Sequence, residues 1–241
     1  MQGLTAQDVL DLWDRCSGMG HANRALALLA RAEPEVDAER HAALPAGVRD
    51  ARILAVRERT LGRDLQVVAE CPGCAAPVEL AFTAHDLGLD TCDERPAMPV
   101  RRAIGGHEIV LRPVVAGDLV AAEAAASVEQ ARAALLQRCV LSVDGEEDVP
   151  LQDELAEAVE AVLEAFDPCA DVEIATRCPD CGHQWAAPFD PARFFWQEIE
   201  ALAPGLLMEV AELARHYHWA ERDILAMSAA RRRFYLEMAG R

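Results

Sequence analysis

Apolar residues recur at helical spacing from the start of the chain. In "LTAQDVLDLWDRC", Leu4, Val9, Leu12, Trp13 and Cys16 fall close to one face, and Thr5 stands three residues before Asp8. A hydroxyl and an acid at that spacing can cap a helix start reciprocally. "HANRALALLARAEP" and "GVRDARILAVRERTLG" carry the same period and end at Pro34 and Gly62, residues that stop a helix by lacking an N–H or by adopting positive φ. Residues 1–62 therefore predict a three-helix N-terminal region.

At "DLQVVAECPGCAAPVELAF" the period shortens to that of a strand, with Leu65, Val67, Val78 and Leu80 flanking a turn at Cys71-Pro-Gly-Cys74. "VRRAIGGHEIVLRPV" alternates around Gly105-Gly106, a pair suited to a two-residue hairpin turn. Helical spacing returns in "AGDLVAAEAAASVEQARAALLQRCVL" and again over residues 151–166. There Leu151, Leu155, Val159, Val162, Leu163 and Phe166 form an apolar stripe opposite a row of acids. Strand spacing resumes in "ADVEIATRCPDCGHQWAAPF". From Pro191 the pattern is helical to the end, with a break expected at Pro204-Gly205 and a cap at Ser228.

The cysteines connect these segments. "ECPGCAAPVELAF" and "RCPDCGHQWAAPF" share Cys-Pro-x-Cys, and in each a Phe, Phe82 or Phe189, stands at the same distance after the first Cys. Taken singly, such a pair serves a metal, a redox couple or a corner of a nucleic-acid-binding ribbon. Two matching hairpins packed tip to tip would gather Cys71, Cys74, Cys178 and Cys181 around one tetrahedral structural Zn²⁺. Compact ribbons leave roughly 15–20 residues between their pairs, so the stretch separating these two reads as an insertion. Redox pairs favour a helix N-terminus, and a catalytic zinc needs an open position that four thiolates close; His183 is the neighbour best placed to alter that count. Cys16, Cys92, Cys139 and Cys169 are isolated and read as buried or incidental thiols.

The expected fold is α+β: mostly helical, with a zinc-ribbon-like antiparallel β element made of two CxxC hairpins and an inserted hairpin plus helices. The expected divisions are 1–62, a helical region; 63–190, the split ribbon with its insertion at about 98–167; and 191–241, a C-terminal helical region.

Charge narrows the function. The formal net charge is −18, and between Cys139 and Thr176 there are twelve acids and no Arg. Such a field repels phosphate backbones, which argues against general nucleic-acid binding. All 23 basic residues are Arg, which removes chemistry that needs a lysine amine. No apolar run approaches the roughly 20 residues of a membrane span, and the acidic N-terminus lacks signal-peptide character, so a cytoplasmic location is expected. No nucleophile–base arrangement, phosphate cradle or small-molecule site stands out, and no enzyme is expected. His216 and His218 fall on different helix faces and read as surface or capping residues; no role is assigned to them or to His183. Residues 215–241 hold six Arg against Glu221, Asp223 and Glu237, a basic tail that could dock back on the acidic body or engage a partner.

The helical lead-in, the paired knuckles and the closing run of Trp219, Glu221, Asp223, Ile224, Leu225, Met227, Arg231, Arg232, Tyr235 and Leu236 together resemble a known group. These are baseplate proteins of contractile phage-tail-like injection systems, related to the hub assembly chaperones of T-even phages. The resemblance implies a non-catalytic baseplate or assembly factor whose partners are hub or spike components. A zinc-ribbon adaptor in transcription or RNA metabolism is the alternative, and a zinc-dependent hydrolase a third reading.

Overall fold

The computed structural model describes residues 1–89, 92 and 98–240. Four N-terminal helices, α1 (Ala6–Cys16), α2 (His21–Ala32), α3 (Ala38–Ala42) and α4 (Ala46–Leu61), lead into the hairpin β1 (Leu65–Glu70) and β2 (Pro77–Phe82). The strands β3 (Val100–Ile104) and β4 (His107–Leu111) follow, then α5 (Ala116–Glu123), α6 (Val128–Cys139), β5 (Val140–Val143) and α7 (Asp153–Phe166). The second hairpin, β6 (Glu173–Arg177) and β7 (Gln184–Pro188), precedes α8 (Pro191–Tyr217), α9 (Glu221–Leu225) and α10 (Ala229–Ala239). The α+β, mostly helical class with small antiparallel sheets is as expected.

The Thr5–Asp8 capping box starts α1, each side chain meeting the other's backbone N–H. One core joins α1, α2, α4 and the first half of α8 through Leu28, Leu29, Ile53, Phe195 and Ile199, all fully buried. Arg57 fastens the end of α4: its guanidinium donates to Glu198 of α8 at 2.9 and 2.6 Å and to the Gly62 and Asp64 carbonyls at 2.8 Å. A separate core under the β3-β4-β5 sheet takes up the expected stripe of α7, with Ile109, Leu111 and Val159 fully buried, while Asp153, Glu154, Glu157 and Glu164 face solvent.

Several expectations require correction. The lead-in has four helices, because five-residue α3 is too short to show a period. The segment read as helix through Val140 and Leu141 turns into β5, which pairs with β4; its β-branched residues complete the sheet above α7. Pro204 lies inside a continuous α8 rather than between two helices. A proline inside a helix costs about 3 kcal/mol, but Phe195, Trp196, Ile199, Ala203, Val210 and Leu213 are buried on both sides of it. Losing half of that apolar face would cost more.

Cys92 and Cys169, expected as isolated thiols, form a disulfide. It joins the segment after the first hairpin to the turn before the second, at a corner where α4 approaches closely. There the Gly47 N–H donates to the Asp167 carboxylate at 2.8 Å, giving the start of α4 an acidic partner from far along the chain.

The basic tail docks back on the body. Arg232 is buried, donating to Glu209 of α8 and to the Met227 carbonyl, both at 2.7 Å. The Tyr217 and Trp219 rings stack at 4.5 Å beside Tyr235. Ser228 caps α10 as expected, and His218 ends α8 in a left-handed conformation.

Two measurements test this packing. A Cβ at residue 47 would lie 2.6 Å from the backbone carbonyl carbon of Cys169, so Gly47→Ala should cost about 1–3 kcal/mol in chemical denaturation. Buried Asp50, gripped by Arg49 at 2.8 and 2.9 Å, has its carboxyl pushed up to about 6 by burial, against the pull of Arg49. Between about 4 and 6 the folded state keeps a proton that the unfolded chain has released, so this group's contribution is full below that window and falls as pH rises through it. The stability difference between wild type and Asp50→Asn should shift against wild type across the same window.

Candidate metal centre

The two hairpins share a register as well as a motif. Glu70 pairs with Pro77 across the first knuckle and Arg177 with Gln184 across the second, and each ladder runs back in step, to Gln66–Ala81 and Glu173–Pro188. Within each turn the Cys71 N–H donates to the Ala76 carbonyl and the Cys178 N–H to the His183 carbonyl, both at 2.9 Å. The Ala75 and Gly182 N–H groups return to the carbonyls of the first cysteines at 2.8 and 3.0 Å. The likeness extends past the strands, where Phe82 and Phe189 touch edge to face at 5.2 Å. Thr83 and Asp190 then each accept a backbone N–H three residues on, from Asp86 and Arg193.

Tip to tip, the knuckles bring all four expected cysteines together. The Cys71 and Cys181 sulfurs are 3.6 Å apart, as are those of Cys74 and Cys178, and all four lie within 4.8 Å of one another. A tetrahedral centre with metal–sulfur bonds of about 2.3 Å has sulfur–sulfur edges of about 3.8 Å. Four sulfur donors at this spacing can hold a metal ion. Cys71 and Cys178 are buried beside Val78, with Leu80 and Trp185 against them, while Cys74 and Cys181 are exposed.

The electrostatics match a site built for concentrated negative charge. Backbone N–H groups point at the sulfurs: that of Cys181 first, then that of Asp180, draws the Cys178 thiol down to about 7. Ala76 does the same for Cys74, but the Cys181 thiol, partial desolvation and the Cys178 and Cys71 thiols together outweigh it, and Cys74 is pushed up to about 12. One thiolate forms readily and the crowding resists the next. A cation among the sulfurs reverses that resistance, because it is the counter-charge all four thiolates lack.

His183 is not part of the sulfur cluster; its ring lies against Trp185, with centroids 6.1 Å apart. Cys16 and Cys139 are buried free thiols, as expected, and burial pushes Cys139 up to about 11. What the sequence missed is the pairing of Cys92 with Cys169. Their nearness to the two matching hairpins was the one available signal.

The family model described as T4 bacteriophage base plate protein covers residues 28–196, from α2 into α8, and so includes both knuckles and everything between them. The closing run at residues 219–236 lies beyond it. No curated protein matches the chain, and no solved structure does.

The two turns differ at one informative position. Ala75 has φ +59°, where the second knuckle has Gly182 at φ +75°. An L-residue in this left-handed region costs about 1–2 kcal/mol, which glycine avoids. A Cβ on Gly182 would meet only the end of the Arg177 side chain, at 3.4 Å. Ala75→Gly should therefore raise thermal stability and Gly182→Ala lower it, each by about 1 kcal/mol, as read from unfolding curves.

Proposed function

We propose that this chain, which belongs to the T4 bacteriophage base plate protein family, is a non-catalytic assembly factor of a contractile phage-tail-like particle. In this reading it acts as a chaperone for other baseplate proteins, hub or spike components among them. Its fold is held by one structural Zn²⁺ on Cys71, Cys74, Cys178 and Cys181. The observation that carries the reading is that the family match spans the segment whose ends the cysteine cluster draws together.

The sulfur donors, their spacing and the N–H groups aimed at them all suit zinc, a soft-tolerant ion with no geometric preference beyond four-coordination. Bound there, zinc would supply structural cross-linking, with no open position for a water. The chain's own residues do the rest. Backbone amides orient the sulfurs, Val78, Leu80 and Trp185 shield the buried pair, and the 63–190 region becomes one unit carrying its insertion. We place the protein in the cytoplasm of the producing cell. In that reducing environment the Cys92–Cys169 bond would open, so the cysteine centre is the clasp that counts.

Partner contacts are assigned to the charged surfaces. The exposed acids of α7 and the 144–148 turn form one. Arg231 and Arg233 on α10 form another, since the neighbouring Arg232 is spent on holding α10 to α8. Among the described residues no helix is long and apolar enough to cross a membrane.

The protein purified without chelator should contain one zinc per chain by elemental analysis. Cys71→Ser and Cys178→Ser should each lose it together with thermal stability, by several kcal/mol of the roughly 10 that structural zinc can supply. Deleting the gene should abolish baseplates visible by electron microscopy. Mass spectrometry of finished wild-type particles should then find the protein missing or far below stoichiometric amounts. A stoichiometric presence would make it a permanent baseplate component instead.

A further inference from the structure

The first hairpin has an unused edge, and that edge faces a groove. Among the described residues β1 pairs with β2 alone. In an antiparallel ladder the hydrogen-bonded pairs alternate, and the Cys71–Ala76 bond fixes the phase. The N–H and C=O groups of Leu65, Val67 and Ala69 point to β2, and those of Gln66, Val68 and Glu70 point away from it. Pro77, which has no N–H, pairs with Glu70 and agrees with this phase. Among the described residues no hydrogen bond reaches the outward groups of Gln66, Val68 or Glu70.

Residues 66–70 form an unbroken run along one wall of a groove of about 1110 Å³. Continuous lining by successive residues means that the strand is seen edge-on. The facing surface is the second hairpin, which presents the cross-strand neighbours Ile174 and Ala187 together with Trp185. The groove therefore offers a row of unpaired backbone donors and acceptors beside an apolar floor. That combination accepts an extended strand, with main-chain bonds giving affinity and alternate side chains giving selectivity.

Charge selects the occupant. Five carboxylates line the groove against two guanidiniums, those of Arg49 and Arg193. Arg49 is already committed to Asp50, while among the described residues the carboxylates of Glu70 and Asp171 have no hydrogen bond or ion pair. A second copy of a chain with net charge −18 would bring like charge to like. We propose that the β1 edge is a docking site for an extended, basic segment of a partner protein, with apolar residues alternating with Arg or Lys, bound as a third strand beside β1. Such a groove serves a transient assembly factor and a permanent baseplate component equally, so the test below is independent of that choice.

The probe is a blocked peptide of about six residues, a usual strand length, alternating arginine and valine, titrated into the full-length metal-loaded protein. Binding should weaken steeply with salt and should protect the Val68 and Glu70 amides from hydrogen exchange. N-methylation at alternate peptide residues should weaken it about tenfold or more, the value of one or two lost hydrogen bonds. Val68→Pro removes an outward N–H without touching the hairpin ladder and should do the same. Glu70→Gln with Asp171→Asn should weaken binding several-fold while leaving the fold intact. The proposal is overturned if the N-methylated peptide, or one with glutamate in place of arginine, binds as tightly as the parent. It is overturned equally if the amides stay unprotected, or if sedimentation shows dimers of the chain that Val68→Pro abolishes.

Discussion

Four sulfur atoms from two distant turns occupy one small volume, and much of the molecule's arrangement follows from that coincidence. Cys71 and Cys74 belong to a hairpin fed by α4, and Cys178 and Cys181 to a hairpin that feeds α8. Bringing the two tips within 4.8 Å fixes the relation between α4 and α8, which share the N-terminal core and the Arg57–Glu198 pair. Without a cation the same arrangement opposes itself, because each thiolate formed makes the next harder to form. With one, the site turns from a repulsive cluster into a cross-link.

The two hairpins are near copies down to their register, their return hydrogen bonds and the caps that follow them, and their differences carry information. Gly182 holds the left-handed position in the Cys178–Cys181 knuckle and Ala75 holds it in the Cys71–Cys74 knuckle, so the latter is the more strained. Among the described residues β1 has an unpaired edge on a groove whose floor is the face of the second hairpin, so two similar units take different positions in it. The stretch between them folds around its own core of β3-β4-β5, α6 and α7 and shows solvent the acidic face of α7. In the proposed reading, a metal on the four cysteines would let this excursion leave and return without loosening the rest.

Much of this was legible in the sequence where a local rule dominates. The capping box at Thr5, the two-residue turn at Gly105-Gly106, the stripe of α7 and the Cys-Pro-x-Cys knuckles each depend on residues a few positions apart, and each formed as expected. The family suggested by the helical lead-in, the knuckles and the closing run is the one the family match gives, although that match ends before the closing run. What escaped depends on packing between distant segments. Pro204 reads as a helix breaker, yet apolar residues on both sides of it keep α8 whole. Val140 and Leu141 read as the end of a helix until β4 offers them an edge. Cys92 and Cys169 carry no spacing rule, and both pack against a cluster built from several segments, Leu54, Leu65, Leu89 and Phe189 among its members.

The central claim is that Cys71, Cys74, Cys178 and Cys181 jointly bind one zinc ion, and zinc K-edge X-ray absorption on the purified full-length protein tests it most directly. The account predicts a first shell of four sulfurs at about 2.3 Å, with no light-atom ligand. A shell containing nitrogen or oxygen, or protein that carries no zinc when purified without chelator, would contradict it.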